Sequence, residues 1–369
     1  MIPTPPHLGS FLPQDVTLLL QDLTGRVAER PTGQREQAIQ AGRHYSEDLP
    51  IGRVPSPAYL KVFDALMDRQ LPRVALYTGV LTRQVLERYP DAVLVSLVRA
   101  GVPCGILMRR YAAQILHTDL PHYGVSIIRD KGFDETAITY LLERHPGRPL
   151  VFVDGWTGKG RITRQLEESC AAYGRRHGVT LPPVLAVLAD PAYCCTLYAT
   201  REDFINPSCC LNSTVCGLIS RTVHSDALIA PGAFHGVRVY WEFAAADQTA
   251  RYLDGVCRWF PDQVDAVQAA LQALKQTDRT PDWRGWQAAM RIGAAFGISD
   301  PNRIKPSIGE TTRVLLRRVP DRVLVREPDH PDLAHILLLA RERGVPVTCY
   351  PEMPYLCCGL IADRRGGSE

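Results

Sequence analysis

The segment Pro149-Leu150-Val151-Phe152-Val153-Asp154-Gly155-Trp156-Thr157-Gly158-Lys159-Gly160-Arg161 leaves the backbone few choices. An apolar run ends at Asp154, a turn holding Gly155, Gly158 and Gly160 follows, and Ile162, Leu166, Cys170 and Tyr173 then recur at helical spacing. The pattern predicts a buried strand that passes through a tight turn into a helix. Backbone N–H groups at such a helix start face an anion, and glycines remove the Cβ atoms that would hold it off. Thr157 adds a hydroxyl and Lys159 a cation, so the turn suits a phosphate. The spacing is too short for G-x-x-x-x-G-K-[ST], and there is no G-x-G-x-x-G, which argues against P-loop kinase and dinucleotide readings. A turn whose glycines serve packing alone is the alternative.

Two upstream segments repeat the theme. Val93 to Val98 is an apolar run that breaks at Arg99-Ala100-Gly101 and enters a helix with Pro103 in its first turn. Tyr123 to Ile128 alternates and ends in the charged loop Arg129-Asp130-Lys131-Gly132. Helices are expected at Ser56 to Gln70 and Leu76 to Tyr89, a short one at Pro13 to Leu20, and a strand at Val184 to Ala189. Strands that alternate with helices call for an α/β fold, a parallel sheet with helices on both faces and ligand loops at the carboxyl ends of its strands. Arg99, Lys131 and Asp154 all fall at such ends. Solvated arginines and lysines on surface loops are the competing reading.

Composition narrows the class. The 369 residues are 46% hydrophobic, enough for two domains, and a net charge of +3 is too small to demand nucleic acid by itself. No run is long enough for a membrane span and no secretory signal is evident, so a cytoplasmic location is expected. Eleven cysteines without a Cys-x-x-Cys spacing give no indication of zinc, and no metal ligand set is expected. Most should be small buried hydrophobes. Cys210 stands apart because Asn206 to Gly217 is dense in small polar residues. With His224 or His235 beside it in the fold, it could be a nucleophile.

After Gly236 the pattern changes to amphipathic helix over Asp247 to Leu274 and a further helical piece over Pro281 to Gly297. Ser299-Asp300-Pro301-Asn302-Arg303 breaks helix and favours a turn, which divides the chain into a first domain over 1–298 and a second over 299–369. The second contains Lys305, Gly309-Glu310-Thr311-Thr312-Arg313 and a cluster of arginines that includes Arg317, Arg318 and Arg322. Such a cluster suits phosphates, though it could equally be solvated.

The Asp154 turn resembles the nucleotide-sugar loop of type I phosphoribosyltransferases. That likeness implies a transferase acting on phosphoribosyl pyrophosphate or a related nucleotide, with Mg²⁺ on the leaving pyrophosphate. It gives the ribose to Asp154 and the 5-phosphate to Thr157, Gly158, Lys159 and Gly160. It likens Arg99-Ala100-Gly101 to a pyrophosphate loop, and it puts catalytic roles on Asp154, Arg99, Lys131 and Arg129. Gly155 stands where that family carries a second acid. The Lys305 to Arg313 string resembles the RNA-contacting helix start of Pelota-like domains, which implies that Lys305, Glu310, Arg313 and Arg317 meet structured RNA. Gly-Trp-Thr-Gly-Lys-Gly, Thr200-Arg201-Glu202-Asp203-Phe204, Leu211-Asn212-Ser213-Thr214-Val215 and the tail together resemble the StiP family, labelled cysteine proteases and tied to tellurium-resistance and stress-response clusters. On that label the alternative is a peptidase with Cys210 as nucleophile and His235 as its base. A non-catalytic nucleotide-binding or RNA-binding module is the third option.

Overall fold

A computed structural model describes residues 4–31, 34, 38, 42–51 and 56–362. The main body is a seven-stranded sheet whose principal strands are parallel. Its edge strand β1 is Thr17–Leu18, followed by the long helix α1 (Pro57–Arg88), β2 (Val93–Val98), α2 (Gly101–Leu116) and β3 (His122–Ile128). The short β4 (Gly132–Phe133) pairs antiparallel with β3, and α3 (Glu135–Arg144), β5 (Leu150–Trp156), α4 (Arg161–His177), β6 (Leu185–Ala189) and β7 (Leu197–Thr200) complete the body. The spatial order is β1-β3-β2-β5-β6-β7. The chain therefore reverses its direction of travel across the sheet between β2 and β5, the place where ligands bind in open α/β sheets. β2, β3 and the first four residues of β5 are buried throughout, as strands covered on both faces must be.

Two local expectations change. Pro13 to Leu20 is not a helix: Thr17 and Leu18 pair in parallel with Tyr123 and Gly124, so sheet edge bonds and burial of Val16, Leu18, Leu19 and Leu20 outweigh local propensity. The two helices expected on either side of Pro72 are one. Phe63, Met67, Val74, Leu81 and Val85 form a continuous buried stripe along α1, and that packing offsets the roughly 3 kcal/mol that an interior proline costs.

Beyond the sheet come α5 (Thr249–Cys257), α6 (Val264–Lys275) and α7 (Arg284–Ala295). The tail follows with β8 (Ile304–Pro306), α8 (Ile308–Arg317), β9 (Arg322–Val325), α9 (Ala334–Glu342), β10 (Val347–Cys349) and β11 (Cys357–Leu360). Its sheet runs β8-β11-β9-β10. Ala288, Ala289 and Ile292 of α7 pack with Ile304, Leu324 and Tyr355, so this helix sits on the tail's sheet. On the other side Ile308, Leu315, Val325 and Ile336 share one apolar core with Tyr59, Phe63 and Met67 of α1. The tail is built into the body.

Polar seams reinforce that joint. The Asp203 carboxylate accepts the Ile308 N–H at 3.0 Å and the Leu356 N–H at 2.9 Å. Asp332 accepts from Arg69 at 2.6 Å, Gln70 at 2.7 Å and Arg73 at 3.3 Å, all on α1. No helix among the described residues is long and apolar enough to cross a membrane.

Candidate functional site

The strand–turn–helix read from the sequence forms as expected, with Asp154 near the end of β5 and Gly160 as the residue before α4. Gly160 adopts φ +78, a left-handed conformation that glycine takes without a Cβ penalty. The turn is one wall of a cavity of about 660 Å³. The tail supplies the facing wall, through Lys305 of β8 and Glu310, Arg313 and Arg317 of α8. His44, Tyr45, Arg129 and Arg221 close the rim from the body. The two walls come close: a Cβ on Gly309 would lie 2.1 Å from the Trp156 indole, so only glycine fits there. Arg313 lies over the same indole at 4.5 Å.

Among the described residues the cavity is lined by ten arginine and lysine side chains and four carboxylates. Burial pulls Lys305 down to about 7, and Lys159 and Arg129 add to the fall while Glu310 opposes it. Burial also lowers Arg317, with the charges of Arg99 and Arg313 acting in the same direction. Burial alone would raise Glu310, but Lys305, Lys159 and Arg313 overturn that and hold its carboxyl below the ordinary range. Asp154 is raised to about 6 by burial, against the Gly155 N–H and Arg313, with Glu310 pushing it further up. The Lys159 ammonium reaches across to the Ile304 carbonyl at 2.6 Å, tying turn to tail.

Other residues expected at the site lie elsewhere. Arg99 is turned behind it, donating to the Ile219 carbonyl at 3.1 Å and to Asn212 at 3.2 Å. Ala100 and Gly101 are buried at the start of α2 and do not line the cavity. Lys131 is 3.3 Å from His224 Nδ1 and also lies outside the cavity lining. Arg129 does reach the rim, where it donates to Asn302 at 3.1 Å and covers Tyr45. The acids present do not fit a dedicated Mg²⁺ site, because Glu310 is enclosed by cations, Asp154 has Arg313 beside it, Asp130 pairs with Arg129 and Arg161, and Asp300 pairs with Arg303.

Cys210 and His235 are not brought together. Cys210 is fully buried, its carbonyl accepts the Tyr59 hydroxyl at 2.9 Å, and burial with Cys209 beside it pushes the thiol well up. His235 bonds Ser126 through Nδ1 at 2.8 Å, its backbone N–H donates to Asp134 at 2.6 Å, and the ring falls to about 3 on burial with His224 and Lys131 adding to the shift. A histidine so depressed is a weak base at neutral pH. Sequence reading missed Asp190, which follows β6 as Asp154 ends the apolar run of β5; that repeated signal could have found it. Its carboxylate accepts from the Thr157 hydroxyl, Arg201 and the N–H groups of Cys194 and Cys195. Asp190, Cys194 and Cys195 offer three donor atoms within 4.8 Å of one another, yet the carboxylate is already engaged by Arg201 and three further donors. Cys194 Sγ lies 3.1 Å from the Thr163 hydroxyl and 3.5 Å from Asp190 Oδ1. Gly160 and Thr163, both in the cavity wall, stand between that thiol and the cavity.

Comparison with known proteins now separates the readings. Residues 9–257 match the family described as "Tellurite-like stress resistance cysteine protease StiP". The chain belongs to the StiP family. Residues 283–363 match the "PELOTA RNA binding domain" family. The "Cysteine protease StiP" of Acinetobacter baylyi is 35% identical over 377 residues, covering 97% of this chain and 95% of that protein. These matches overturn the phosphoribosyltransferase expectation, since family and relative alike are described as cysteine proteases. The geometry gives a physical reason: Gly155 supplies no second acid, and Arg99, Ala100, Gly101 and Lys131 do not face the cavity.

Proposed function

We propose that the protein is a cysteine protease of the StiP type, with Cys194 as its nucleophile once the wall formed by Gly160 and Thr163 moves aside, since the thiol is buried behind it. The observation that carries the reading is the end-to-end similarity to the Acinetobacter protein of that name. Among the described residues no hydrogen bond joins a histidine to a cysteine, whereas the Asp190 carboxylate lies beside Cys194. Asp190 is the candidate: burial raises its carboxyl, against the Thr157 hydroxyl and Arg201, which favours its taking a proton, and it is 3.5 Å from Cys194 Sγ. The thiol proton passes to Asp190 as sulfur attacks the peptide carbonyl carbon. The C–N bond then breaks, Asp190 returns the proton to the leaving amine, and water hydrolyses the thioester. The family description further suggests that this proteolysis serves a tellurite-like stress response.

Cleavage of a labelled peptide library is the test. Wild type should cleave, iodoacetamide and Cys194→Ser should abolish cleavage, and Cys210→Ser should retain it. An inactive wild type would sink the protease reading, while loss in Cys210→Ser with retention in Cys194→Ser would move the nucleophile.

A further inference from the structure

We propose that the cavity between body and tail is a binding site for a small molecule carrying a chain of phosphates, a nucleoside polyphosphate in chemical class, gripped from both walls at once. The proposal does not depend on the protease reading. Four observations support it. Among the described residues the lining carries ten arginine and lysine side chains against four carboxylates, a balance that favours an anionic occupant. The volume of about 660 Å³ falls in the range of small-molecule sites. One wall is the start of the 17-residue helix α4, preceded by a glycine and without a side-chain cap, so its first N–H groups are left for an external acceptor. The facing wall offers Lys305 and Arg313 from a different domain, so successive phosphates of one chain can be met from opposite sides.

The same geometry argues against a folded RNA. Lys305, Glu310 and Arg313 face the β5–α4 turn across the cavity, and α8 packs onto Trp156 through Gly309. An RNA duplex, about 20 Å across, cannot enter a space of small-molecule volume. Burial pulls Lys305 down to about 7, with Lys159 and Arg129 adding to the fall, and a bound polyanion would favour its charged form.

Calorimetry on the full chain tests the site with ATP, inorganic tripolyphosphate, an acidic hexapeptide and a hairpin RNA as separate probes. ATP and tripolyphosphate should both bind, more weakly as salt rises, with ATP the tighter if the nucleoside contributes. Arg313→Gln should weaken both by about tenfold or more, the loss expected for a charge-assisted hydrogen bond. If that variant is unstable, the ATP-induced rise in melting temperature of wild type, measured against chloride at equal ionic strength, gives the same answer. Absence of both heat and thermal shift at millimolar ATP and tripolyphosphate would overturn the proposal. So would binding of hairpin RNA or acidic peptide alone, or ATP binding unchanged in Arg313→Gln. Protease activity can survive any of these outcomes, so the two readings fail separately.

Discussion

The tail meets the body along two stretches of very different character. At the Asp203 and Asp332 seams, each buried carboxylate is matched to specific donors, and apolar side chains from both domains fill the surrounding space. At the cavity, the same two domains face each other across a gap lined by a large excess of positive charge. The seam shows what a finished interface looks like in this protein. The cavity departs from it in the way that the proposed polyphosphate site requires.

The seam can be broken first. Asp203→Ala strands two buried N–H groups, at about 1 to 3 kcal/mol each, and should lower unfolding free energy by about 2 to 6 kcal/mol in chemical denaturation. Retention of wild-type stability would mean that the seam is not what holds the tail. Closing the gap between the walls comes next. Gly309→Ala drives a methyl into the Trp156 indole and should cost about 1 to 3 kcal/mol, while shifting the tryptophan emission as the walls part.

A pH series sharpens the contrast. Burial raises Asp203 to about 7, against the two N–H groups that favour its charged form. Between its ordinary value of 3.8 and about 7, the folded state holds a proton that the unfolded chain has released. Its contribution to stability is therefore full at the acid end of that window, declines as pH rises through it, and levels off above. Asp203→Asn, which stays neutral, should flatten this decline by up to about 1.4 kcal/mol per pH unit, and an unchanged slope would assign it to other groups. The smallest effect is expected at the cavity rim. Asn302→Ala removes one partly exposed bond to Arg129 and should change stability by about 0.5 to 1.5 kcal/mol.

The sequence disclosed local geometry better than partnership. The β5–α4 turn, the parallel sheet and the charged residues of the tail were all legible, because periodicity and glycine placement depend on near neighbours. That Lys305 and Arg313 would face Trp156 and Gly158 was not, since no short-range signal encodes docking of one domain on another. Arg99 shows the same limit. It sits at a strand end as read, yet its side chain turns toward Asn212, which Arg317 also engages at 3.0 Å. Cys210 was singled out for polar neighbours in sequence, but Tyr59 and the apolar core decide its surroundings.

The shared core beneath α1, α8 and α9 bears on inheritance as well as stability. Family descriptions divide this chain between residues 257 and 283, yet the boundary crosses no physical gap. A gene fragment ending there would leave the stripe of Tyr59, Phe63 and Met67 without its cover, and one beginning there would expose Leu315 and Ile336. Each fragment would expose apolar surface that the other covers in the whole chain. A substitution in this core on one side of the boundary alters the surface against which the other side packs.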